Sequence, residues 1–582
     1  RGRFALVGFL LFVVSCGGDD RSENSGSDTV VDVVTDDIDS GGTSLPDAVE
    51  DLQDELTPLE DTKVDLEDLE VQQDGFADSM EVEVTSPPEV DYLVLYGDGL
   101  EELASAWGDY RTESGHVVHV ESFASLVAPD EPALNDEVAV GIVQEWVRGF
   151  YEQRDFERPF YLLILSDAVY EGSAQQGMVP SGFWPGLWQQ CYSDNFYADM
   201  DGDHVPDLDV GRIPVHTVEE GMVVLDKVIE HETEYEVGPW NNRFTVYAGD
   251  PGFGGGIDSA IETIAQQGLE SIPYNWEMLF TYAVSSSPYF YAPMEEKVLD
   301  LLTMGSVMAT YMGHGGGEFN VPSLEDVVVQ HRYPMCAFFA CTTGDYLGSS
   351  DSDPEIVMKR SGSPMAFLVS QDVTHPYSNH IQTMEMEAYV FTESPETFGE
   401  AIRQSKWLTM YNDNEDRQFI AEMALLFMEE WEEEATLIDQ QYAYNLLGDP
   451  AILMRMPPVT TEIAIDDGVK GGRVDFSGSV QDLDSGTATV KIVCERARLL
   501  HSLTSVTDPY ASESQQTVQE NWYKAMDHTV AETEVEIVDS AFSGALDIPD
   551  STPVGTYHVT VYAHDGTSDS VGTASLKIGN SN

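Results

Sequence analysis

The sequence predicts an α/β body built on parallel strands, followed by a smaller antiparallel β domain. Three observations carry this. Short runs at 91–96 and 159–165 are apolar without alternation, as in strands covered on both faces. Segments at 100–110 and 135–151 place apolar residues at helical spacing between them. Beyond Pro457-Pro458 the apolar period changes to two.

The elements follow in order. Strands at 91–96, 116–120 and 159–165 alternate with the two helices, and strand–helix–strand connections imply a parallel sheet. A helix at 217–236 opens on Thr217-Val218-Glu219-Glu220, which fits a capping box. Strands near 243–249, 305–312, 335–340 and 364–370 come next, with helices near 256–268, 292–303, 396–408 and 416–440. The simplest account is two α/β subdomains in series, about 90–238 and 239–456. Residues 457–582 carry alternating strands at 460–465, 473–480, 487–493 and 556–563 between Gly, Asp and Ser turns. That pattern predicts an Ig-like β-sandwich with an adhesive or spacer role.

Length and charge agree with this division. The 582 residues hold 26 basic and 105 acidic side chains, so the formal charge is 26 − 105 = −79. By the prior of roughly 150 residues per domain, three to four domain-sized units are expected. Hydrophobic residues at 42% suffice for sizeable cores, which excludes global disorder. A chain this acidic repels a phosphate backbone and an anionic lipid surface alike, so no nucleic-acid partner is expected.

Residues 1–16 read as a lipoprotein signal peptide. Arg1 and Arg3 precede an apolar stretch at 4–14 that is too short to span a bilayer. It ends in Val13-Val14-Ser15-Cys16-Gly17, which resembles a bacterial lipobox. That implies lipidation of Cys16 and a location outside the cytoplasm, at the outer membrane or cell surface, with no other membrane contact. Residues 17–89 hold 24 Asp and Glu against Arg21 and Lys63. So charged a stretch predicts an extended, disordered linker. The remainder keeps −79 + 22 − 2 = −59.

The chemistry is expected at two strand ends. One apolar run stops at Gly313-His314-Gly315-Gly316-Gly317, another at Cys341-Thr342-Thr343-Gly344-Asp345. In an open parallel sheet, ligands bind beyond the carboxyl ends of the strands. A thiol with an ordinary pKa of about 8.5 is mostly protonated at neutral pH, so a nearby imidazole activates it. Glycine N–H groups beside His314 suit an oxyanion. A His in a Gly loop and a Cys in a core are otherwise common without chemistry.

The wider pattern adds to this. Tyr311-Met312-Gly313-His314-Gly315 and Ala340-Cys341-Thr342-Thr343-Gly344-Asp345-Tyr346 resemble the gingipain family of cysteine peptidases, peptidase family C25. Ser193-Asp194-Asn195-Phe196-Tyr197, Asp207-Leu208-Asp209-Val210-Gly211-Arg212-Ile213-Pro214 and Asn445-Leu446-Leu447-Gly448-Asp449-Pro450 fit the same family, in order, over about 91–456. The resemblance implies a caspase-like fold with His314 as general base and Cys341 as nucleophile of an endopeptidase, which the lipobox-like segment would anchor at the surface. It also implies an oxyanion hole from the backbone N–H groups of Gly315 and Cys341, and a protein or peptide substrate. Gingipains place an acidic residue near the histidine, for which Glu171 and Asp194 are candidates. Asp194 also resembles the acidic residue of the pocket that takes Arg or Lys, although Asp before Asn commonly caps a turn. Residues 370–377 follow a strand end and are a candidate pocket wall. A sortase-like transpeptidase with the same dyad, or a non-catalytic adhesin, are the alternative functions.

No cofactor is expected for the chemistry, but a structural calcium ion is. Asp199, Asp201, Asp203, Asp207 and Asp209 place five carboxylates within eleven residues around Gly202. Hard oxygen ligands at alternate positions suit calcium, although Val210 stands where an EF-hand loop has its closing glutamate. An acidic solvated turn is the alternative. Cys336 lies five residues before Cys341 and so faces the other side of its strand, in the core. Cys191, Cys336 and Cys494 allow at most one disulfide.

Overall fold

The structure is a computed structural model. It describes residues 90–127, 135–187, 190–234, 236–250, 252, 270, 272–315, 327–329, 331–414, 417–418, 420–421 and 432–581. The signal peptide, the acidic linker, the helix expected at 256–268 and much of that expected at 416–440 lie outside these residues.

Strand β1 (Tyr92–Tyr96) is apolar and buried over its first four residues, because helices cover both faces of its sheet. It lies between β2 (Val118–Ser122) and β3 (Tyr161–Leu165), all parallel. Helices Glu101–Glu113 and Asp136–Tyr151 follow β1 and β2, and Asn135 caps the second by accepting the Val138 N–H at 2.9 Å. The hairpin β4 (Gly182–Pro185) and β5 (Gln190–Ser193) forms a separate ribbon. Strand β6 (Asp209–Ile213) then pairs parallel with β3. The helix Val218–Thr233 follows, opened by the expected capping box of Thr217 and Glu220.

A second parallel block contains β7 (Arg243–Ala248), β8 (Glu277–Tyr282), β9 (Met308–Met312), β10 (Met335–Phe339) and β11 (Phe367–Ser370). Strand β12 (Tyr444–Leu447) joins the blocks, antiparallel to β11 and parallel to β6. The order is β2-β1-β3-β6-β12-β11-β10-β9-β7-β8. The two units expected in series are therefore two oppositely directed blocks of one ten-stranded sheet.

Buried charge fastens the joint. Asp449, just past β12, accepts Tyr92 Oη at 2.8 Å, Trp107 Nε1 at 2.7 Å and Arg111 Nε at 2.8 Å. Arg111 also pairs with Glu232 at 2.9 Å. The Gly448-Asp449-Pro450 motif thus pins the end of the α/β body to its first strand and helix.

Residues 461–579 form an eight-stranded sheet: β13 (Thr461–Ile465), β14 (Gly468–Val469), β15 (Arg473–Val480), β16 (Ser485–Val493), β17 (Thr529–Val538), β18 (Ala541–Asp547), β19 (Gly555–His564) and β20 (Asp569–Gly579). All pairs are antiparallel except β14 with β20. The sheet curls until its ends meet, with Thr461 Oγ1 2.7 Å from Ser570 Oγ and the Val571 N–H on Pro458 O at 3.0 Å. The strands expected to divide between two sandwich sheets are thus hydrogen-bonded into one.

This domain belongs to the same unit as the α/β body. Its helix Gln515–Met526 sends Trp522 Nε1 to Phe280 O of β8 at 3.0 Å. The Lys297 ammonium sits 4.4–4.7 Å from the rings of Tyr291, Trp522 and Tyr523. Arg496 donates to Ile272 O at 2.6 Å and Pro273 O at 3.0 Å. So packed a junction braces the edge of the large sheet, which the expected spacer role did not anticipate.

Candidate active site

The two strand ends named from sequence are neighbours. β9 and β10 pair in parallel from Met308↔Met335 to Met312↔Phe339. His314 and Cys341 each lie two residues beyond the last pair, so both side chains leave the sheet at the same level. Neighbouring strands stand about 4.8 Å apart, and the two loops begin at that separation. Gly313 N–H reaches Phe339 O at 3.4 Å. A Cβ added at Gly315 would lie 1.6 Å from the Cys341 carbonyl oxygen and 2.8 Å from its nitrogen. Only glycine lets the histidine loop lie this close to the cysteine backbone.

Strand β7 flanks β9 on its other side. Gly249 N–H donates to Met312 O at 2.8 Å, and Asp250 follows at once. Asp250 Oδ1 accepts the Gly252 N–H at 3.0 Å, and a Cβ at Gly252 would lie 3.8 Å from His314 Nε2. An acidic residue therefore sits in the loop that abuts the imidazole. The sequence reading missed Asp250, because only the strand order puts the end of β7 beside His314. Glu171, one of the two acidic candidates, is exposed and lies on the loop after β3.

The Cys341 thiol is half-buried and rests on Thr374. Its Sγ donates to Thr374 O at 3.5 Å and accepts the Thr374 N–H at 3.4 Å and hydroxyl at 3.7 Å. Residues 370–377, the expected pocket wall, are thus the cradle of the sulfur. Thr342 has φ of +51°, a rare conformation for a β-branched residue. Its N–H on Asp372 O and the Gly344 N–H on Ser370 O, both at 2.9 Å, hold it there. Asp345 accepts Tyr170 Oη at 2.7 Å, tying the cysteine loop to the first block.

A family model described as Peptidase family C25 matches residues 85–455, more than half of the 582. The chain belongs to peptidase family C25. No curated protein sequence matches it. Among solved structures, it is similar to the Arg-specific cysteine proteinase gingipain R (RgpB), with 14% identity, a TM-score of 0.48, and coverage of 85% of this chain and 99% of that one. It is also similar to the complex of the Porphyromonas gingivalis RgpB pro- and mature domains, with 15% identity, a TM-score of 0.47, and coverage of 84% and 100%. The chain is a cysteine peptidase, a hydrolase whose substrates are proteins or peptides. Thiol peptidase chemistry needs no cofactor.

Within this C25 peptidase the other thiols among the described residues, Cys191, Cys336 and Cys494, are free and buried. Burial pushes Cys336 and Cys191 well up, and Cys494 to about 11, which keeps all three protonated at neutral pH. Cys336 is in the core, as strand period two requires.

Asp194 belongs to the scaffold. It is 2% exposed. Arg212 Nε and Nη2 donate to its two oxygens at 2.7 Å each, and Ser181 Oγ adds a third bond at 2.8 Å. A carboxylate buried in this way is turned inward onto Arg212, so its contacts support neither role expected for it, in a substrate pocket or beside His314. Its partner Arg212 also donates to Ser166 O and Val179 O at 3.0 Å.

The aspartate loop divides differently from the expectation. Oxygen atoms of Asp199, Asp201 and Asp207 converge within 4.8 Å of one another. Asp203 is not one of the three and instead accepts Tyr411 Oη at 2.7 Å and the Val205 N–H at 2.9 Å. Burial first, and then neighbouring aspartates, raise Asp199 and Asp207 above the usual carboxylate range.

Proposed function

We propose that this peptidase cleaves peptide bonds through a Cys341–His314 dyad and an acyl-enzyme, while anchored outside the cytoplasm by a lipid on Cys16. The observation that carries the dyad is the equal two-residue overhang of His314 and Cys341 on paired parallel strands. The sulfur gives its proton to the imidazole and attacks the carbonyl carbon. The backbone N–H groups of Gly315 and Cys341 receive the oxyanion. His314 returns the proton to the leaving amine as the C–N bond breaks, leaving a thioester. Water, deprotonated by His314, then hydrolyses that thioester and frees the thiol. Asp250 orients the imidazole from the neighbouring loop.

The test is digestion of a mixed peptide library, with the products read by mass spectrometry. Cys341→Ala and His314→Ala should each remove essentially all cleavage. A Cys341→Ala variant that still cleaves would overturn the assignment. Products joined to added amines, without hydrolysis, would favour transpeptidation.

The lipobox-like Val13-Val14-Ser15-Cys16 supports the anchor. No helix among the described residues is long and apolar enough to cross a membrane. The wild type should enter the detergent phase and Cys16→Ser the aqueous phase; equal partitioning would remove the anchor. Asp199, Asp201 and Asp207 fit a structural calcium ion, which would offset three converging carboxylates with hard oxygen ligands.

A further inference from the structure

The cradle of Cys341 continues inward as a chain of hydrogen bonds that the dyad does not use. Thr374 Oγ1 accepts Asn379 Nδ2 at 2.8 Å. Asn379 Oδ1 in turn accepts Tyr444 Oη at 2.9 Å and Gln440 Nε2 at 3.1 Å. Gln440 Nε2 also reaches Gln382 Oε1 at 2.8 Å, and its Oε1 accepts the Ser378 hydroxyl at 2.8 Å. Asn379, Gln440, Gln382, Ser378 and Tyr444 are each 6% exposed or less. A buried network this complete has one low-energy direction.

That direction decides where a proton points. Two donors converge on Asn379 Oδ1, so its amide nitrogen must face Thr374. The nitrogen donates to Thr374 Oγ1, so the hydroxyl proton turns to its two acceptors, the Cys341 sulfur at 3.7 Å and the Tyr444 phenol oxygen. The Thr374 N–H already points at that sulfur. We propose that Thr374 is a catalytic residue whose hydroxyl and N–H hold the Cys341 sulfur as its charge develops, and that Asn379 is the positioning residue that aims the hydroxyl. The inference rests on the reading of Cys341 as the nucleophile.

The site's chemistry makes such donors useful. A thiolate is the attacking species, and hydrogen bonds to a charged form favour it. Thr374 stands two residues before the helix Pro376–Glu393, whose N-terminal end carries positive partial charge toward the same side. The titratable groups around the sulfur are His314 from the end of β9, Asp372 and His375 from the cradle, and Tyr444 from β12. Burial holds His375 neutral by lowering it to about 4. Burial, with Asp345 and Asp439 adding, raises Asp372 to about 6. Tyr444, pushed well up by burial, stays a neutral donor. Asp372, at about 6, is therefore the carboxylate of the cradle that changes charge within the range of the test.

The experiment is the rate of Cys341 alkylation by iodoacetamide from pH 5.5 to 9, read by peptide mapping on the full chain. The other described thiols are buried and label slowly. Thr374→Val keeps the shape and the N–H but removes the hydroxyl. It should slow labelling at pH 6 by about tenfold, the scale of one charge-assisted hydrogen bond, with little change at pH 9. Thr374→Ser should restore the profile. Asn379→Ala should move it in the same direction by less, and it reads the same relay if Thr374→Val does not fold. An alkylation profile unchanged in both Thr374→Val and Asn379→Ala, with kcat intact, overturns the relay. If Cys341→Ala still cleaves peptides, the nucleophile reading itself fails, whatever Thr374 does.

Discussion

The motifs that mark this family fall into two regions with opposite physics. Those of the first block and the joint, around Asp194, Arg212 and Asp449, are buried ion pairs in which each charge meets a partner at 2.7–2.9 Å. Those at the ends of β9 and β10, where we propose the chemistry, make neutral contacts: glycine against backbone, threonine against sulfur. His314 is exposed and Cys341 half-buried, whereas Arg212 is fully buried. In sequence both sets look alike, as polar residues amid glycine and apolar runs. Burial separates the residues that hold the sheet from those proposed to face a substrate.

The sharpest way to break this contrast is to cut one member of each set. Asp194→Ala leaves the Arg212 guanidinium buried without its counter-ion and should cost about 3–5 kcal/mol in denaturant unfolding. His314→Ala removes an exposed side chain and should leave the unfolding curve in place while turnover collapses. If Asp194→Ala instead kept full stability and changed only substrate preference, Asp194 would belong to the pocket after all.

A chelator probes the aspartate loop, which lies between the two cases: partly buried carboxylates that accept from backbone N–H groups. With calcium about 100-fold above its dissociation constant, removal should cost about 2.7 kcal/mol. Asp207→Asn should abolish that response, and Asp203→Asn should preserve it, because Asp203 points to Tyr411. A melting temperature indifferent to chelator would remove the ion.

These contrasts also mark how far the sequence is legible. Unbroken apolar runs identified β1, β3 and β10, because covered strands need no alternation. Strand β6 was hidden, since Asp209, Gly211 and Arg212 interrupt its apolar pattern and only the pairing with Asp194 makes burial tolerable. Strand β12 is four residues long and follows directly on a helix, so the helical period masks it. In the C-terminal domain β17 alternates Glu and Thr with small apolar residues and is only half-buried, too weak a signal to read. The candidates His314 and Cys341 were legible because each follows the end of its own strand. Their neighbours Asp250, Thr374 and Asn379 were not, since their positions depend on which strands are adjacent and how one loop folds back.

The smallest expected effect concerns a charge that belongs to neither set. Lys227, on the helix Val218–Thr233 of the first block, reaches across to the loop before β11. Its Nζ donates to Met358 O at 2.6 Å, Ser363 O at 3.2 Å and Pro364 O at 3.4 Å. These partners are carbonyls, which satisfy the donors but do not neutralise the charge. Burial therefore lowers Lys227 to about 7 from 10.5, with Glu230 opposing only weakly. Between those two values the unfolded chain holds the proton and the native protein does not, so stability rises with pH across the window. The contribution is complete above the unfolded value and is lost as pH falls through the window to about 7; below that both states are protonated and the slope vanishes. Lys227→Met removes the titration and keeps the apolar stem. Its stability should rise less steeply than that of the wild type between pH 7.5 and 9, by about 1 kcal/mol per pH unit. Glu230→Gln should leave the wild-type slope nearly intact. Parallel curves for wild type and Lys227→Met would mean that the ammonium stays charged in the native protein, and that this region too is held by a compensated pair.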